Sequence, residues 1–162
     1  MKKIISIFAA VMICAALTGC GNSSESSTPA QSTEGLAAEG GLDSKTAALM
    51  DSVEHPEMVS VKTDTVKDRF GIEEADVSEL SAYICGSGAM PDEFGIFRAA
   101  DADAAKRIVE ALDKRIERQR KTFQDYTPAE MYKFDDCFVE TSGNVVIYAI
   151  CADNSKAKEL LK

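Results

Sequence analysis

Val145-Val-Ile-Tyr-Ala-Ile-Cys151 is apolar at every position apart from the hydroxyl of Tyr148. Seven such residues, rich in β-branched and aromatic side chains and bounded by Gly143-Asn144 and Asp153-Asn154, read as a strand. A half-solvated strand alternates apolar and polar residues, and this one does not. The unbroken run predicts a central strand covered on both faces. The rest of the chain must supply its neighbours and its cover.

Three further segments read as strands. Asp136–Thr141 precedes the run across Gly143-Asn144 and makes a hairpin with it. Glu79–Gly86 and Glu93–Ala99 flank a loop rich in Gly and Pro, Gly86-Ser-Gly-Ala-Met-Pro91, and form a second hairpin. Between the hairpins lies the strongest helical signal, Asp101–Gln124. Its apolar residues Ala105, Ile108, Val109, Leu112, Ile116 and Phe123 recur at helical spacing, with Asp101 or Asp103 as cap. On the opposite face, Glu110/Lys114 and Glu117/Lys121 are i,i+4 pairs in the favourable order.

Shorter helices are expected at Lys45–Val53, at Thr63–Phe70 with Gly71 just past its end, and after a cap at Asp153 or Asn154. Tyr126-Thr-Pro-Ala-Glu-Met131 has the pattern of a helix start: Thr127 and Glu130 as capping box, Pro128 at the first position, Tyr126 and Met131 as staple. The expected fold is α+β, a four-stranded antiparallel sheet in ββα-ββα order. One long amphipathic helix packs on a face, and short helices lie N-terminal to the sheet.

The first 44 residues read differently. Met1-Lys2-Lys3 is a positive start, and Ile4–Ala16 is apolar except for Ser6. Those 13 residues are too short to span a bilayer core of about 30 Å but suit a signal peptide. Leu17-Thr-Gly-Cys20 fits a lipobox, so residues 1–19 are expected to leave and Cys20 to take a diacylglyceryl thioether. Two acyl chains hold durably where one does not. Gly21–Ser44 is rich in Ser, Gly, Thr, Ala and Glu, a composition that cannot bury enough surface to order itself. With Cys20 it forms the expected tether, residues 20–44, which as a flexible coil spans about 25–30 Å. The folded domain is expected over 45–162.

Loss of Lys2 and Lys3 takes the net charge from −9 to −11. That balance argues against nucleic acid, whose binding rests on Lys and Arg neutralising phosphates, and against electrostatic docking on anionic lipid.

Cys14 leaves with the signal and Cys20 is lipidated, so Cys85, Cys137 and Cys151 remain, an odd count in a compartment that permits disulfides. The Gly143-Asn144 turn sets Cys137 opposite Ile150, which points Cys137 and Cys151 to opposite faces. Cys85 can pair with either only if its strand is a neighbour. Three free thiols behaving as small buried hydrophobes are expected.

His55, the only histidine, precedes Pro56 and reads as a surface loop residue. One His and scattered Cys make no zinc site, the glycines show no nucleotide-binding spacing, and no cofactor or metal is expected. The remaining candidates are Asp92 and Glu93 at the mouth of the first hairpin. Adjacent acids at a strand start take a cation or a partner's Arg, or else stay solvated in the turn. The solvated turn is the commoner role.

Several motifs act together. The lipobox, the Ser-rich tether, a Tyr-bearing strand and Pro91-Asp-Glu-Phe-Gly-Ile-Phe97 are followed by the long charged helix, Tyr126-Thr-Pro-Ala-Glu130 and Gly143-Asn-Val-Val146. Together they resemble the Gram-positive lipoproteins grouped as domain-of-unknown-function family DUF4358, over roughly Met58 to the C-terminus. The resemblance implies the outer face of the cytoplasmic membrane and carries over no catalytic residues. Where a β-branched residue or Ala is expected in the second strand this chain has Gly95, which predicts a bulge.

The reading from sequence is a non-enzymatic binding or adaptor module, anchored in membrane lipid through Cys20 and serving an envelope protein partner. The rival is a small hydrolase of cell-envelope material built on carboxylates such as Asp92 and Glu93. A two-lobed solute-binding protein does not fit the 118 residues from Lys45 onward.

Overall fold

The computed structural model describes residues 41–162. The expected signal, the expected lipidation site Cys20 and most of the expected tether lie outside the described residues. No described helix is long and apolar enough to cross a membrane.

The fold is α+β, built on one antiparallel sheet of five strands rather than four. The strands are β1 (Met58–Val61), β2 (Val77–Cys85), β3 (Glu93–Ala99), β4 (Phe138–Ser142) and β5 (Val145–Ile150), in the order β1-β2-β3-β5-β4. The extra strand is β1, which adds to the outer side of β2 with Val59 opposite Ile84. Every residue of β5 is buried, as the unbroken apolar run requires of a strand lying between β3 and β4.

Helices cover both faces, where one long helix on one face was expected. On one side α3 (Ala102–Tyr126) and the short α2 (Val66–Phe70) close a core containing Phe70, Phe97, Ile108, Leu112 and Tyr148. On the other, α1 (Leu42–Ser52) and α4 (Asn154–Leu161) close a second core containing Leu49, Phe94, Ile96, Ile147 and Leu161. Strand periodicity divides the two: Phe94 and Ile96 face α1 and α4, and Phe97 faces α3.

The local signals mostly act as read. Asp101 caps α3 by accepting from the Ala104 N–H at 2.7 Å, and Asp153 caps α4 through the Lys156 N–H at 2.8 Å. Gly71 ends α2 in the left-handed region at φ 78°, which glycine adopts without strain. Helix α1 starts at Leu42, three residues before its expected start, because Leu42 is itself buried.

Three expectations fail. Pro128–Phe134 is a 3-10 helix with Pro128 at its start, and the Thr127 hydroxyl makes no cap: it is buried without a hydrogen-bond partner. Tyr126, 65% exposed, packs on Phe123 and leaves Met131 without its staple. The pairs Glu110/Lys114 and Glu117/Lys121 are not among the ion pairs of the described residues, whose α3 members include Lys106–Asp103 at i,i+3. Exposed pairs of that kind gain little against side-chain entropy.

Gly95 is no bulge either. It pairs in register with Ala82 and Tyr148, and the register shift falls between Val77 and Glu79 instead. A Cβ on Gly95 would stand 2.6 Å from that of Ala82, so the glycine serves close approach of β2 and β3.

Candidate functional site

The β2–β3 connection and the start of β3 bring charge into the interior. Asp92 and Glu93 are each 1% exposed, which overturns their reading as solvated turn residues. A buried carboxylate needs partners, and the two acids find them in different elements.

Glu93 turns toward α3. Arg115 grips it with two nitrogens, Nε to Oε1 at 3.0 Å and Nη2 to Oε2 at 2.7 Å. Gln119, one helical turn on, donates to Oε2 at 3.3 Å, and the Tyr148 hydroxyl of β5 donates to Oε1. Phe70 completes the cluster: the Arg115 guanidinium lies 5.6 Å from its ring centre, and its edge meets Tyr148 at 6.0 Å. The environment fixes the protonation states. Burial and the neighbouring Glu93 push the Tyr148 phenol well up, so it stays neutral and donates. Burial opposes charge on Arg115, but the Glu93 carboxylate outweighs it and raises the guanidinium above its ordinary value.

Asp92 has a different partner. Lys133, in the 3-10 helix, donates to Asp92 Oδ2 at 2.7 Å and pairs with Glu130 at 2.8 Å. Asn154, the first residue of α4, donates to the Lys133 carbonyl at 2.8 Å and accepts from the Cys151 N–H at 3.0 Å. Asp92 Oδ1 is buried with no partner. Burial accordingly raises the Asp92 carboxyl above the usual range, against the pull of Lys133. Each acid is thus committed to a fixed cation of its own, Glu93 to Arg115 and Asp92 to Lys133.

The thiols follow the same register. Cys85 lies opposite Asp92 on β2 and donates its N–H to the Asp92 carbonyl at 2.9 Å, and Cys85, Cys137 and Cys151 are free among the described residues. Strand β3 separates Cys85 from β5 and Cys151, a gap of two strand spacings, about 9–10 Å, beyond the roughly 7 Å reach of a disulfide. Cys137 packs with the α3-side core and Cys151 with the other, as the hairpin register predicts. Burial pushes the Cys151 thiol up to about 11. At Cys85 burial also pushes up, but the Ser87 hydroxyl and the N–H groups of Met90, Ser87 and Gly88 outweigh it, so the thiol falls below its ordinary value. His55 is half-buried, with its ring nitrogens 2.6 Å from the Pro56 carbonyl and 3.1 Å from that of Met50.

Above the Glu93 cluster, between the β2–β3 connection and the second half of α3, lies a cleft of about 340 Å³. Val59 and Met90, 43% and 37% exposed, form apolar parts of its wall, and Phe123 lies against it. Arg115 and Gln119 contribute polar wall, already engaged with Glu93. Arg69 also lines the cleft, and it takes part in none of the ion pairs among the described residues.

Sequence reasoning picked out Asp92 and Glu93 but missed Arg115, Tyr148, Lys133 and Arg69. One signal was available: a tyrosine inside a fully apolar strand needs a buried partner for its hydroxyl.

No curated protein and no solved structure matches the chain significantly. The family model described as "Domain of unknown function (DUF4358)" matches residues 51–151. That span takes in all five strands, the long helix and every residue of the Glu93 cluster, and the chain belongs to this family.

Proposed function

We propose that this protein is a lipid-anchored, non-enzymatic binding module at the outer face of the cytoplasmic membrane of a Gram-positive cell. It engages an envelope component through the cleft beside the β2–β3 connection. The observation that carries this reading is the division of labour around the cleft. The buried charges beneath it are fixed in pairs, while Val59, Met90 and Arg69 line it without such commitments. Fixed pairs suit a rigid platform. The signal-like start, Leu17-Thr-Gly-Cys20 and the Ser-rich segment support the anchored address.

The hydrolase reading draws on the raised Asp92 carboxyl. It is the weaker of the two, because both acids on the cleft are already tied to cations, Glu93 to Arg115 and Asp92 to Lys133.

Complementation of a deletion strain at native expression tests the binding reading. Met90→Glu and Arg69→Glu are both exposed changes that leave the folding signature intact. They are expected to abolish complementation, and full complementation by both overturns the cleft as the working surface. Asp92→Asn is expected to complement, whereas its complete failure with an intact fold favours the hydrolase.

A further inference from the structure

Resting on the reading of the cleft as the binding surface, we infer that its ligand is a single-chain amphiphile: a short apolar chain carrying one anionic head group. Three observations point there. The first is shape. Helix α3 lies over β3, β5 and β4 and leaves the α3-side face at the β1–β2 end of the sheet less covered. There Val59 stands opposite Ile84, and both line the cleft together with Met90 and Phe123. A volume of about 340 Å³ lies at the small end of ligand sites, enough for one short chain and too little for a diacyl lipid.

The second observation is charge. Glu93 is paired with Arg115, and Asp92 shares Lys133 with Glu130, so both acids that line the cleft are already tied to cations of their own. Arg69 is left as an unmatched cation, in a chain whose formal net charge is −9. A guanidinium lining a cleft of mixed polar and apolar wall recognises a carboxylate or phosphate head while the apolar wall takes a chain.

The third is stiffness. The polar wall is anchored on Glu93 of β3, which Arg115 and Gln119 of α3 and Tyr148 of β5 all bond. The cleft is therefore formed before a ligand arrives, which lowers the ordering cost of binding.

The test uses the mature lipoprotein in neutral phosphatidylcholine nanodiscs with methionine methyl groups labelled for NMR. Met90 lines the cleft, and Met131 packs elsewhere as an internal control. Octyl phosphate is expected to shift the Met90 methyl saturably and leave Met131 unmoved. Octanol, which lacks the charge, and inorganic phosphate, which lacks the chain, are each expected to bind about tenfold more weakly or worse. Arg69→Gln is expected to weaken octyl phosphate by a similar factor and leave octanol unchanged. Equal binding of octanol and octyl phosphate, indifference to Arg69→Gln, or no shift at Met90 each overturns the inference. If octyl phosphate fails while Met90 still crosslinks to an envelope protein in cells, this inference falls and the binding-module reading stands.

Discussion

Gly95 and Ala82 face each other across β3 and β2 with no room for one more methyl group: a Cβ on Gly95 would lie 2.6 Å from the Ala82 Cβ and 2.9 Å from its Cα. Because part of the obstacle is backbone, side-chain adjustment alone cannot relieve it. Gly95→Ala is expected to destabilise the fold by about 1–3 kcal/mol in chemical denaturation. Ala82→Gly in the same chain removes the nearest atom and is expected to recover part of that loss. An unchanged midpoint for Gly95→Ala contradicts the close approach.

The two buried acids make a sharper prediction through pH. In Lys133→Met, Asp92 keeps its burial and loses its cation, an arrangement expected to cost about 3–5 kcal/mol near neutral pH. Its folded carboxyl already lies above the ordinary value of 3.8, and the substitution raises it further. A group that holds its proton more tightly folded than unfolded favours the fold less as pH rises from the unfolded value through the folded one. The deficit of Lys133→Met against the native chain is therefore expected to shrink toward about pH 4 and grow toward about pH 7. Asp92→Asn in the same background is expected to remove that pH dependence. A deficit independent of pH contradicts it.

Thr127 separates two accounts of the α3 exit. A side-chain cap at this position would make Thr127→Ala cost about 1 kcal/mol. The hydroxyl is instead buried and unpartnered, so replacing it by a methyl removes a desolvated polar group. Thr127→Val is expected to be neutral or stabilising in thermal unfolding, and a loss of about 1 kcal/mol would restore the cap.

Much of the frame was legible because it rests on local chemistry. The unbroken apolar run of β5 announced a strand covered on both faces, and Asp101, Asp153, Gly71 and Gly143-Asn144 marked ends and turns with side chains suited to them. What escaped notice depends on distant neighbours. Strand β1 has four residues, too few for a period, and is a strand because β2 offers it an edge. The second helical layer was hidden because α1 and α4, far apart in sequence, pack against each other as well as on the sheet. Asp92 and Glu93 stood out as charges at a strand start. Their burial could not be read, since it depends on Lys133 and Arg115, 41 and 22 residues away. Arg69 looks like any surface cation until the cleft brings Val59 and Met90 alongside it.

Membrane attachment has its own test. The proposed thioether rests on Leu17-Thr-Gly-Cys20, and no other cysteine stands in that context. Cys20→Ala is expected to abolish metabolic lipid labelling and to leave unprocessed precursor in the membrane fraction. Persistent labelling in that variant contradicts the anchor.

Photocrosslinking in intact cells, from a photoreactive residue at position 90, tests the binding module most directly. Met90 is 37% exposed on the cleft wall, so the replacement samples whatever enters. Lys156, on α4 and away from the cleft, is the matched control. The expected result is a discrete adduct from position 90 that is absent from position 156 and is lost when Arg69→Glu is added. Adducts of equal yield from both positions, or a position 90 adduct indifferent to Arg69→Glu, contradict a binding site in this cleft.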